Sequence, residues 1–144
     1  MKTLKQLLAD KPGPLAAVAP GDSVFHALSI MAENDVGALL VMDGEALVGI
    51  FSERDYARKI ILHGKTSKET LVREIMSDKV AYVPPTHSLE QCMALMTEKK
   101  FRHLPVLEPD GRVVGIISIG DLVKYRIDKI EAEAAAMRDY IQSA

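Results

Sequence analysis

The sequence carries one cysteine, Cys92, too few for an internal disulfide framework or a multi-cysteine zinc site. It has no run of about 18 apolar residues, so it offers no transmembrane helix and no membrane partner is expected. The opening segment, Met1 to Asp10, has a basic flank but too short an apolar run for a signal peptide. The expected location is therefore cytoplasmic and reducing. Basic charge is not in excess either: 18 Lys and Arg against 20 Asp and Glu give a net charge of −2. That argues against nucleic acid as a partner and leaves room for a local basic pocket. The histidines, His26, His63, His87 and His103, form no paired metal-ligand pattern, and no Cys/His or Ser/His/Asp spacing supplies a nucleophile with its base. Neither a metal, a catalytic cofactor nor an enzyme is expected. What remains is a chain of 144 residues, 48% hydrophobic and 26% charged, the balance of a soluble globular protein. Its length is enough to bury roughly 68–70% of the unfolded surface.

The chain is a duplication. Residues 18–42 align with 83–107, and residues 47–56 with 113–122; the one-residue difference in offset falls in a turn. Twelve aligned pairs are identical, among them Pro20/Pro85, Ser23/Ser88, Gly49/Gly115, Ser52/Ser118 and Asp55/Asp121. Unrelated segments of average composition would give about two. Both copies read alike. An amphipathic helix follows Pro20 or Pro85, with Val24, Ala27, Leu28 and Met31 at helical spacing in one copy and Leu89, Cys92, Met93 and Met96 in the other. Two strands joined by a Gly-containing turn come next (Ala38–Met42 and Ala46–Phe51; Leu104–Leu107 and Val113–Ile117), then a second helix. Between the copies lie a polar linker at Lys65–Glu69, a short helix around Leu71–Met76 and a strand expected over Val80–Val83. Leu7–Lys11 takes the place in the first copy that Ile75–Lys79 takes in the second. The predicted class is α/β (α+β), with two β-α-β-β-α repeats over 1–64 and 65–126 related by a pseudo-two-fold axis. A C-terminal helix over 127–144 completes the chain.

Each repeat ends its second strand in Gly-hydrophobic-hydrophobic-Ser-x-x-Asp: Gly49-Ile50-Phe51-Ser52-Glu53-Arg54-Asp55 and Gly115-Ile116-Ile117-Ser118-Ile119-Gly120-Asp121. With Arg102-His103-Leu104-Pro105-Val106 opening a strand of the second copy, the tandem resembles a pair of cystathionine-β-synthase (CBS) domains, the Bateman module. Its likeness is to the stand-alone pairs of prokaryotes, some of which bind adenine nucleotides such as AMP and NAD.

A serine at a strand-to-helix junction and an aspartate three residues on both sit at a helix N-terminus, where free amides and the helix dipole suit a phosphate. The resemblance implies Asp55 and Asp121 for ribose, and Ser52 and Ser118 for the phosphate side. It places adenine against Val18, Gly37 and Ala38 in one copy, and Val83, Arg102, His103 and Pro105 in the other. The ligand implied is AMP or NAD, with ATP-like nucleotides as further candidates. Arg54, Arg58 and Lys124 are candidate phosphate clamps, whereas Lys59 and Arg126 read as solvated helix charges. Arg102 stands where the first copy has Gly37, which sets a cation at one strand entrance and makes the two sites unequal. Ser-x-x-Asp is equally a capping box that needs no ligand, and the two readings are compatible.

The last helix carries Val123, Ile127, Ile130, Ala134, Met137 and Ile141 at spacings of 4, 3, 4, 3 and 4, an a/d seam. Its first turns are expected to fold on their own repeat and the remainder to meet a second subunit, giving a homodimer. The implied role is a nucleotide sensor that signals to an unidentified protein target. A dimerising adaptor with vestigial sites is the alternative.

Overall fold

Pro20 and Pro85 each cut short an extended segment, and the serine three residues on caps the helix that follows. The computed structural model describes residues 3–11 and 15–143; Met1, Lys2 and Ala144, the outer ends of the expected repeat and helix, lie outside the described residues. Ser23 Oγ accepts from the His26 amide at 3.1 Å, and Ser88 Oγ from the Gln91 amide at 3.0 Å. The capped helices are α2 (Val24–Asn34) and α5 (Leu89–Lys99), the third and ninth elements of a chain that begins with α1 (Leu4–Ala9) and β1 (Ala17–Val18). Both end on a left-handed residue, Asp35 at φ 51° and Lys100 at φ 60°.

Each helix leads into an antiparallel hairpin. β2 (Ala38–Asp43) pairs with β3 (Ala46–Ser52), and β4 (His103–Leu107) with β5 (Val113–Ser118). Gly44 takes φ 62° at the first hairpin's tip, a value that a side chain would resist. β1 adds a parallel edge to the first sheet. The strand expected over Val80–Val83 shrinks to one parallel bridge, Val83 with Val106. Pro84 and Pro85 follow at once and have no amide with which to extend the ladder.

After Ser52 the chain makes a single α-turn, α3 (Glu53–Asp55), and then widens to a π-helix over Tyr56–Ile61 instead of the plain helix that the sequence predicts. Its counterpart after Ser118 is one unbroken helix, α6 (Ile119–Ser143). The polar linker is not loose: the Val24 and Phe25 amides donate to the Thr70 and Ser67 carbonyls, both at 2.9 Å.

The two repeats face each other about a pseudo-two-fold axis and exchange their leading helices. α4 (Val72–Ile75), which precedes the second repeat, buries Val72 and Ile75 in the core of the first, beside Phe51, Leu39 and Ile60. Leu4 of α1 is fully buried in the core of the second, beside Leu104, Ile117 and Leu122. The signature glycines make room for this exchange. A Cβ on Gly49 would lie 2.7 Å from Met76 Sδ, and one on Gly115 would lie 2.9 Å from Leu8 Cδ2. Cys92 is fully buried, and burial raises its thiol pKa, so it serves as core.

In the second core the Tyr125 hydroxyl is buried without a hydrogen-bond partner among the described residues. Tyr125→Phe removes that uncompensated group and is expected to stabilise the chain by about 1 kcal/mol, read as a rise in the denaturation midpoint.

Candidate functional site

Where β3 runs into α3, the backbone turns so that Ser52 and Asp55 close on each other. The Ser52 amide and hydroxyl both donate to Asp55 Oδ2, at 3.0 and 3.1 Å, and the Asp55 amide donates back to Ser52 Oγ at 3.2 Å. The capping box is thus formed. Asp55 is 8% exposed, and its other oxygen, Oδ1, has only longer contacts: the Ser77 hydroxyl at 3.4 Å and Lys59 Nζ at 3.5 Å. Oδ1 is the atom with capacity to spare. Lys59 also donates to the Ile75 carbonyl at 2.9 Å, so it ties the π-helix to α4 and is not the solvated charge that its spacing predicts.

A cavity of about 480 Å³ opens in front of this junction. Ser52, Glu53, Arg54 and Asp55 form one wall, Ser77 and Lys79 border it after α4, and Lys100, Phe101, Arg102 and His103 face it from the second repeat. Gly37 and Ile50 also line it. The Glu53 amide donates to the Gly37 carbonyl, and the Ile119 amide to the Arg102 carbonyl, the same bond in each repeat. Arg54, Lys79, Lys100 and Arg102 thus surround one opening against the carboxylates of Glu53 and Asp55. None of the four cations has an ion pair among the described residues. Such a cavity, with a part-buried carboxylate and hydroxyl at a strand-to-helix turn and free cations at the rim, can hold a polar anion.

The second junction has the same backbone and a different occupant. The Ser118 amide donates to Asp121 Oδ2 at 2.8 Å, and the Asp121 amide to Ser118 Oγ at 3.1 Å. Lys11, however, places its ammonium 2.8 Å from Asp121 Oδ2 and 2.8 Å from the Ile116 carbonyl. Burial alone would raise the Asp121 pKa, but the Lys11 ammonium and the Ser118 amide more than offset it and hold the carboxyl below its ordinary value. Stability from this pair is present above the ordinary carboxylate pKa and lost as the pH falls through the lowered one.

His103 lies between the two junctions, its ring 3.7 Å from where a Cβ on Gly37 would be. Its pKa is lowered, first by burial and then by Lys11 and Arg102, with Asp121 opposing. The fold therefore favours neutral imidazole, and this stabilisation is present above about pH 6.5 and lost as the pH falls towards the lowered value. We expect the melting temperature to drop below about pH 6.5, and His103→Gln to flatten that part of the profile. An unchanged slope would contradict the assignment.

Of the residues singled out in the sequence, Gly37, Ser52, Arg54, Asp55, Arg102 and His103 meet at the first cavity, while Ser118 and Asp121 form the second junction. Val18, Ala38, Val83 and Pro105 are buried in the strand layer and do not line the cavity; the Pro105 carbonyl accepts from the Val83 amide at 3.0 Å. Arg58 and Lys124 are exposed and stand outside the lining. The sequence reading missed Lys79 and Lys100 at the rim and Lys11 on Asp121. A signal existed for two of them, because Lys11 and Lys79 hold matching places after the leading helices.

The CBS-domain family model matches residues 9–62 and 72–128. The chain is 40% identical over 126 residues to the mitochondrial CBS domain-containing protein CBSX3 of Arabidopsis thaliana, covering 84% of this chain and 61% of that one. It therefore spans less than two thirds of that relative's length. A putative signal-transduction protein with CBS domains from Burkholderia ambifaria superposes with a TM-score of 0.83 at 51% identity, over 88% of this chain and 95% of that one. CBSX2, solved in complex with AMP, gives a TM-score of 0.70 at 28% identity, over 79% of this chain and 89% of that one. Among the described residues no helix is long and apolar enough to cross a membrane.

Proposed function

The chain belongs to the CBS-domain family, and from that premise we propose that it is a non-catalytic regulatory module that binds an adenine nucleotide between its two repeats. The observation that carries the reading is the first cavity: Asp55 Oδ1, held only by longer contacts to Ser77 and Lys59, has capacity left to accept from ribose, and four cations with no ion pair among the described residues face the same space. The AMP complex of CBSX2 supports the ligand class. AMP is the minimal ligand, and the surplus of cations favours a second phosphate, as in ADP or NAD. The first junction is the principal site, because Lys11 already neutralises Asp121 at the second.

Binding would act on the relative packing of the repeats, since Ser52 and Asp55 belong to one and Arg102 and His103 to the other. A signal requires that the ligand favour one arrangement over another. The readout is a homodimer through the CBS pair and the C-terminal helix, and through it a protein target.

A thermal-shift panel with AMP, ADP, ATP and NAD tests the reading on protein stripped of co-purified nucleotide. At 100 times its dissociation constant a ligand stabilises by about 2.7 kcal/mol, a rise on the order of 5–10 °C for a chain of this size. ADP or NAD should exceed AMP at equal concentration. No shift with any nucleotide would favour the adaptor reading.

A further inference from the structure

Leu122, Tyr125 and Lys129 turn α6 towards its own repeat: Leu122 and Tyr125 are buried there, and Lys129 lies 3.7 Å from Glu90 of α5. The apolar seam lies about 100° around the helix and stays in solvent. Val123, Ile127 and Ile130 are 50–52% exposed, and Met137 and Ile141 are 66% exposed. Ala134 is exposed too, and of residues 131–143 only Ala135 is even partly covered. A row of six apolar side chains left bare by the chain that carries it calls for an occupant.

We propose that the occupant is the same seam of a second copy, with the two α6 helices parallel and in register. The inference rests on the homodimer reading above and is independent of the nucleotide. The seam spacing is palindromic, so it fits either direction: an antiparallel pair would set 123 against 141, 127 against 137 and 130 against 134. Charge decides between them. With Ile127, Ala134 and Ile141 at a and Val123, Ile130 and Met137 at d, the flanking e positions hold Lys124, Glu131 and Arg138 and the g positions Arg126, Glu133 and Tyr140.

In the parallel pair each g residue faces the e residue five places on in the partner. Arg126 then meets the partner's Glu131, and Glu133 meets the partner's Arg138, each twice by symmetry. In the antiparallel pair Glu131 and Glu133 each face their own counterparts, and Lys124 faces the partner's Arg138. Every charged contact is repulsive in that arrangement and attractive in the parallel one. β-branched residues at two of the three a positions also suit a parallel two-stranded coil.

Light scattering after gel filtration, followed by oxidation of single-cysteine variants, tests this on the whole chain. Cys92 is buried, so the wild-type chain is the uncrosslinked control. Parallel pairing brings position 134 to its own counterpart within disulfide range, about 6 Å between Cα atoms. Ala134→Cys should form covalent dimers, and Ala132→Cys on the opposite face should not. Arg126→Glu should weaken the dimer about 10-fold, and adding Glu131→Arg should restore it. A monomer would overturn the homodimer reading and this proposal with it. A dimer in which Ala134→Cys stays single while a mixture with Ile130→Cys chains crosslinks would overturn the parallel arrangement alone. Crosslinking of Ala132→Cys at the same rate would remove α6 from the interface.

Discussion

Leu4→Ala is expected to destabilise the chain by about 3 kcal/mol, with the melting temperature falling on the order of 10 °C. Leu4 is fully buried, yet none of its core neighbours belongs to the repeat that it precedes: they include Val83, Leu89, Met96, Leu104 and Ile117. The substitution removes three carbons from a packed interior and leaves a void that the surrounding strands cannot close. The loss should therefore register in the second repeat, as faster amide exchange at Leu104, Val106 and Ile117, and only weakly at Leu39 and Phe51. A cost below about 0.5 kcal/mol, the range of surface substitutions, would mean that α1 does not bind the repeats together.

Asp55→Ala is expected to weaken nucleotide binding by about 10- to 100-fold, the worth of hydrogen bonds to a charged acceptor. The same change removes the Ser52 capping partner and costs about 1 kcal/mol of stability, so affinity must be measured where the variant is fully folded. Asp121→Ala is the contrast. Its carboxylate is held by Lys11, and its loss should leave affinity at the first cavity within about 3-fold of wild type. That split follows from one difference between two otherwise matching junctions: Oδ1 of Asp55 has its nearest partners at 3.4 and 3.5 Å, whereas Oδ2 of Asp121 has an ammonium at 2.8 Å. Equal losses in the two variants would remove the distinction between the sites.

The paired Gly-x-x-Ser-x-x-Asp segments made the duplication and both strand-to-helix junctions legible in the sequence, because glycine, serine and aspartate at fixed spacing reflect backbone geometry directly. The helical faces were legible as well: Val24, Ala27, Met31, Leu89, Cys92 and Met96 are all buried. The exchange of leading helices was not. Apolar spacing says that Leu4 and Ile75 must be buried, but not beneath which sheet. Lys59 was misread because helical spacing locates a charge without showing the Ile75 carbonyl and Asp55 carboxylate brought to it by another element. Lys79 and Lys100 lie on a connecting segment and at a left-handed helix end, where no periodicity points into a cavity. The π-helix over Tyr56–Ile61 has no sequence signal that we can identify.

The central claim is that the Ser52–Asp55 cavity takes an adenine nucleotide. Calorimetric titration of ADP into the stripped wild-type chain, at low and high salt, tests it most directly. We predict saturable binding close to one nucleotide per chain, weakening as salt screens Arg54, Lys79, Lys100 and Arg102. Absence of binding to a folded, nucleotide-free chain, or binding indifferent to both salt and Asp55→Ala, would contradict it.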